Sequence, residues 1–152
     1  MTKLTLKVLS ALAVITILSI STGVMAASKD EAKATAKKVE IYFKTNGKDK
    51  TVVEVQKNNG MFEKGEVYVF IFDTNGTWIA DPKLPGWVGK YYKSLKDADG
   101  KYFIKEAIEA LKTKNEVWID YKCNNPATKK IGLKNAYFLK VGNMIISSGV
   151  WN

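Results

Sequence analysis

The sequence predicts an α+β domain in which a long N-terminal helix packs on a five-stranded antiparallel sheet. Three observations predict it. Apolar residues recur at helical spacing through the early part of the chain. They then alternate with a period of two in the segments that follow Val67, Glu116, Ile131 and Met144. Between strands, Asn75-Gly76 and Gly142-Asn143 supply hairpin chemistry, because glycine and asparagine tolerate positive φ.

Residues 1–26 are a separate object. Lys3 and Lys7 give a basic start, Val8 to Ile20 is an almost unbroken apolar run, and Val24-Met25-Ala26 offers small residues for cleavage. This pattern predicts a secretory signal peptide cut after Ala26, with residues 27–152 forming one domain. The alternative is a retained membrane anchor, for which the apolar run is short. No cysteine follows the run to carry a lipid. The mature protein is therefore expected outside the cytoplasm, periplasmic or secreted.

In chain order, Ser28 to Asn46 reads as a helix, with Ser28 or Asp30 as its cap and Ala32, Ala36, Val39 and Phe43 on its apolar face. Asp49 to Asn58 reads as a second, shorter helix. Val67 to Phe72 is a strand, Thr77 to Ala80 a second, and Asp81-Pro82 ends it because proline donates to no ladder. Asp97 or Asp99 caps a helix over Lys101 to Lys112, whose Phe103, Ile104, Ala107, Ile108 and Leu111 form one stripe. Glu116 to Lys122, Ile131 to Val141 and Met144 to Trp151 are three further strands. With the helices on one face of the sheet and loops on the other, the loop face is a natural cup.

Composition excludes several kinds of chemistry. All 24 basic residues are lysines, against 15 acidic ones, and there is no histidine or arginine. Without imidazole there is no Ser-His triad and no histidine metal site. Nucleic-acid recognition favours the planar fork of arginine, so the spread lysines read as a solvated surface. A basic module on anionic polymers or a membrane surface is the second reading of the same charge. Cys123, the single cysteine, is either a buried small hydrophobe or a thiol for another chain.

Asp73-x-Asn75-Gly76 and Asp97-x-Asp99-Gly100 hint at calcium loops. The twelfth positions, Leu84 and Ile108, lack the required glutamate. Asp73 then serves a turn and Asp97 or Asp99 a helix cap, and no metal is expected. Glu106 and Glu109 stand among Lys101, Lys105 and Lys112 and read as surface ion pairs. The sharper signal is aromatic. Tyr68, Trp87, Tyr91, Tyr92, Trp118, Tyr121 and Tyr137 each join a ring to a polar handle, as the walls of a small-ligand pocket require. Ordinary core and rim aromatics are the other reading.

The motif Phe62-x-x-Gly65-x-x-Tyr68-x-Phe70-x-x-Asp73-x-x-Gly76 resembles the opening of the single-Cache sensor family. The resemblance continues through Ala80-x-Pro82, Val88-Gly89-Lys90 and Leu95-x-Asp97-x-Asp99-Gly100-Lys101. It closes with Trp118-x-Asp120-Tyr121, Asn125-Pro126, Lys134-x-x-Tyr137 and Gly149-Val150. It implies a PAS-like fold that binds a small organic molecule, commonly a carboxylate or amine, without turning it over and without a cofactor. The implied ligand residues are Tyr68, Asp81, Trp87, Tyr92, Tyr121, Lys134 and Tyr137. Tyr121 and Tyr137 would donate hydroxyl hydrogen bonds, and Lys134 would be the cation for a carboxylate.

Two features depart from the family pattern. Asp81 stands where a histidine or another basic residue is frequent, which weakens the case for a carboxylate and leaves room for an amine. Lys134 and Tyr137 differ by three, so a regular strand sends them to opposite faces. Either a bulge intervenes or one of the two is structural. The chain runs out just after the last strand, so the expectation is a free-standing monomer or weak homodimer. It would report to a separate membrane receptor, kinase or transporter.

Overall fold

The computed structural model describes residues 27–152. The expected leader and its cleavage site at Ala26 lie outside the described residues. The first element, α1, spans Lys29–Val55. The side-chain oxygen of Ser28 accepts from the Glu31 amide at 3.1 Å, and Asp30 and Glu31 sit in the first turn, where negative charge suits the helix dipole. The break expected at Asn46-Gly47 is a kink within one element: Gly47 has φ of 79° and ψ of 175°, and helical turns resume beyond it. Gln56 forms the C-cap.

Five strands follow: β1 (Val69–Asp73), β2 (Trp78–Ala80), β3 (Glu116–Asn124), β4 (Ile131–Val141) and β5 (Met144–Trp151). All pairings are antiparallel, in the order β2-β1-β5-β4-β3. A single 3-10 turn covers Pro85–Trp87, and the second helix, α2, covers Phe103–Ala110. Among the described residues no helix is long and apolar enough to cross a membrane.

The two helices do not share a face, contrary to the sequence expectation. Ala36 and Val39 of α1 pack with Val69, Ile71, Leu139 and Ile146 on one side. Phe103, Ile104, Ala107 and Ile108 of α2 pack with Phe70, Phe72, Ile119 and Phe138 on the other. Both faces of the central strands are therefore covered, and β5 is buried along nearly its whole length instead of alternating. Each fully buried Ile, Leu, Val or Phe here contributes roughly 1.5–3 kcal/mol relative to exposure. The cup lies on the α2 side, between that helix and the loops.

Two aspartates organise the loops around this cup. Asp73 Oδ1 accepts from the Asn75 and Thr77 amides at 2.9 and 2.8 Å, which closes the β1–β2 turn as expected. Gly76 is required there by close approach, since a Cβ would lie 2.8 Å from that of Lys93. Asp97, expected as a helix cap, does something else. Its Oδ1 accepts from the Asp99 and Lys101 amides, and its Oδ2 accepts from the Lys122 amide on β3. The α2 start at Tyr102 has no side-chain cap at all. Since β3 is an edge strand, Asp97 and the Ala98 amide, which donates to the Lys122 carbonyl, satisfy groups that an open edge leaves free.

Candidate functional site

On the α2 side of the sheet lies a cavity of about 490 Å³, within the roughly 300–1,000 Å³ typical of small-molecule sites. Tyr68, Phe70, Trp78 and Tyr121 line it from the sheet, Phe103 comes from the start of α2, and Asp81, Leu84 and Trp87 come from the loop after β2. Leu84 and Ile131 are exposed at its rim. The register of β3, β4 and β5 runs without a bulge, so strand parity decides which side chains face it. Ile119 and Tyr121 turn to the cavity side with Ala136 and Phe138, while Leu139 turns to α1.

Of the residues named from the sequence, Tyr68, Asp81, Trp87 and Tyr121 line this cavity directly. Tyr92 stands one row behind: its ring centroid is 4.3 Å from that of Trp87 and 5.7 Å from that of Trp78, to which it is edge-on. Lys134 is 1% exposed and lies behind Tyr68, donating to its hydroxyl at 3.2 Å. Its ammonium is also within 4.3, 5.5 and 5.2 Å of the ring centroids of Tyr68, Phe70 and Trp151. Gly149 makes this course possible, because a Cβ there would sit 3.0 Å from Lys134 Cε and 2.6 Å from the Asn135 carbonyl oxygen.

Tyr137 lies on the opposite face. Its hydroxyl donates to Glu116 at 2.5 Å, its ring packs on Trp118, and the Lys33 ammonium lies 5.3 Å from its centroid. Burial, then the bond to Glu116, holds its phenol well above the usual range. Lys134 and Tyr137 are thus on different sides of an unbulged strand, and only Lys134 is on the cavity side, behind the lining residue Tyr68.

Asp81 is 1% exposed, and burial raises its carboxyl above the ordinary range despite the hydrogen bonds it accepts. Its Oδ2 accepts from the Trp78 indole at 3.1 Å, and its Oδ1 from the Lys83 and Leu84 amides at 2.8 and 2.9 Å. Most of its acceptor capacity is turned inward, onto the cavity's own wall. The Tyr121 hydroxyl makes no hydrogen bond among the described residues, and burial raises its phenol well above the ordinary value. Lys134 likewise forms no ion pair among the described residues. The ammonium directly contacts one neutral hydroxyl and three rings, and the buried Asp81 carboxylate acts on it through space without closing to an ion pair, so its desolvation is only partly offset.

Sequence reasoning missed Phe70, Trp78, Phe103 and Cys123 as cavity residues. Strand parity was the available signal: Phe70 stands two from Tyr68, and Cys123 two from Tyr121. Cys123 is half-buried in the cavity wall, and burial pushes its thiol up. Among the described residues no group of three or more His, Cys, Asp or Glu side chains converges to hold a metal.

An antiparallel sheet with an aromatic cup on one face and a long helix on the other is an α+β fold of the PAS-like kind. Residues 18–152 match the Cache domain family, and the chain belongs to that family. Among solved structures it is similar to a methyl-accepting chemotaxis protein from Vibrio parahaemolyticus, with a TM-score of 0.69 and 18% identity over 81% of this chain and 87% of that one. A periplasmic sensor domain of a chemotaxis protein gives 0.63 and 13%, covering 80% and 88%. A Cache chemosensory domain described for carboxylic acid recognition gives 0.63 and 18%, covering 80% and 86%. These likenesses show the fold. No curated protein matches the chain.

Proposed function

We propose that this chain is an extracytoplasmic sensor domain that binds a small carboxylate or amine in the cavity beside Tyr68 and Tyr121, and does not turn it over. One observation carries the reading. The buried Lys134 ammonium, with no carboxylate at ion-pair distance among the described residues, stands directly behind a cavity-lining tyrosine. Because the Tyr68 oxygen accepts from Lys134, its own proton is free to donate into the cavity, and the nearby cation strengthens that donor. The Tyr121 hydroxyl adds a second donor without a competing partner.

An anionic oxygen would therefore sit between the two tyrosines, with Trp78, Trp87, Phe70 and Phe103 covering the apolar remainder. An amine on the ligand would meet the remaining lone pair of Asp81. A solved relative described for carboxylic acid recognition supports the anionic end. The family of the chain supports a sensing role outside the cytoplasm, and on this reading the message passes to a separate membrane receptor, kinase or transporter. A thermal-shift screen of residues 27–152 against small carboxylates, amino acids and amines tests this, since a ligand of the native state alone raises the melting temperature.

A further inference from the structure

We infer that Gln56, at the end of α1, is a positioning residue that clamps the cavity's roof, the segment from Asp81 to Trp87, and thereby governs access to the site. The inference rests on the reading that this cavity is the ligand site. Its basis is a chain of hydrogen bonds that begins outside the cavity. The Gln56 side chain donates from Nε2 to the Asp81 carbonyl at 2.9 Å and accepts from the Asp81 amide at Oε1, at 3.0 Å.

A primary amide is one of the few side-chain groups that offers a donor and an acceptor together, so it can replace a neighbouring peptide. Asp81 needs such a replacement. It directly follows β2, the outer strand of the sheet, whose far side is tied at Trp78 to the segment around Lys90. There the Trp78 amide donates to the Lys90 carbonyl and the Gly89 amide to the Trp78 carbonyl, both at 2.9 Å. At Asp81 that role falls to Gln56. Gln56 thus pairs with the backbone as an adjacent strand would.

The carboxylate of the same residue carries the connection into the site. It holds the Trp78 indole and the Lys83 and Leu84 amides, and the Leu84 carbonyl accepts from the Trp87 amide at 2.9 Å. Trp78, Asp81, Leu84 and Trp87 all line the cavity. The segment just after α1 adds a second tie, since the Lys83 ammonium donates to Asn58 at 2.7 Å and pairs with Glu63. Releasing Gln56 frees the Asp81 backbone while the roof's own bonds remain. The roof then lifts from its β2 end.

Cys123 reports this motion without any ligand. It is the single cysteine of the chain and lines the cavity from β3, the opposite edge strand from the one that carries the roof. Its alkylation by N-ethylmaleimide at fixed pH should be roughly five- to thirty-fold faster in Gln56→Ala than in the parent, from the loss of one to two hydrogen bonds. Gln56→Asn, which keeps the amide but shortens its reach by one methylene, should show the same direction and serves if the alanine variant folds poorly. Amide exchange at Lys83 and Leu84 should accelerate in parallel.

Ser28→Ala is the comparison, because it removes the cap at the other end of α1, far along the helix from Gln56. It should leave Cys123 alkylation at the parent rate. A parent rate in both Gln56 variants would overturn the inference, as would an equal acceleration in Ser28→Ala, which would mean that labelling follows general stability. Since no ligand enters the measurement, a failed metabolite screen and a failed clamp are separate outcomes.

Discussion

Lys134 donates to the Tyr68 hydroxyl at 3.2 Å, with its ammonium 4.3 Å from the centre of that ring, and forms no ion pair among the described residues. The arrangement buries a charge with no ion pair among the described residues, and a carboxylate in the proposed site would offset it. An apolar side chain of similar length removes the desolvation cost of that charge and breaks no ion pair among the described residues. Lys134→Met is therefore expected to melt at or above the parent temperature. It should bind a carboxylate ligand roughly ten- to hundred-fold more weakly, the weight of a charge-assisted contact. Denaturation curves and titration calorimetry on the two proteins check both halves.

The two tyrosines of β3 and β4 separate in the same way. Tyr121→Phe removes a hydroxyl that bonds nothing else among the described residues. It should change stability little and weaken binding by about two- to tenfold, the worth of roughly 0.5–1.5 kcal/mol in one neutral hydrogen bond. Tyr137→Phe strips Glu116 of a donor on the far face, and should cost about 1–3 kcal/mol of stability with affinity unchanged. Urea midpoints and binding isotherms for the pair distinguish the roles, and a binding defect confined to Tyr137→Phe would reverse the assignment.

Much of this is legible in the sequence. Parity alone separates Lys134 from Tyr137, and the unbulged register of β4 makes the separation real. The stripe of α2 and the strand limits follow from periodicity, because a covered face demands apolar residues at fixed spacing. The face that α2 covers is not legible. Its stripe states that it is buried, and only the long connection from β2 decides on which side. Nor is the second role of Asp81 visible, because its partners Gln56 and Trp78 are chosen by tertiary contact. Asp97 misleads for a similar reason: an aspartate before a helix resembles a cap, and its partner on β3 is 25 positions away.

Asp97 should matter for the sheet as well as the loop. Asp97→Ala removes three backbone-directed hydrogen bonds from an exposed edge, and is expected to cost about 1–2 kcal/mol. The freed edge of β3 should also promote self-association at high concentration. Urea denaturation measures the first effect and light scattering the second. A parent-like midpoint would show that the loop holds by its other contacts.

Acid should probe the opposite face. Glu116 is held at about 2, chiefly by the hydrogen bond from Lys33 and then by that from Tyr137, against burial that pulls the other way. A depressed folded pKa means that the stabilisation is complete above the ordinary value of 4.5 and is lost as pH falls through about 2. The parent should therefore lose stability across that window more steeply than Glu116→Gln. Melting temperatures from pH about 6 down to about 2 check this, and parallel curves would remove Glu116 from any role in acid stability.

The central claim is that the cavity beside Tyr68 holds a small charged metabolite, read by Lys134 through the tyrosine hydroxyl. Its most direct test is the thermal shift of residues 27–152 across a panel of small carboxylates, amino acids and amines, run in parallel on the parent and on Lys134→Met. At least one carboxylate-bearing compound should raise the melting temperature of the parent in a concentration-dependent way, and the shift should be lost in Lys134→Met. A panel with no stabilising compound, or a shift that survives intact in Lys134→Met, would contradict the claim.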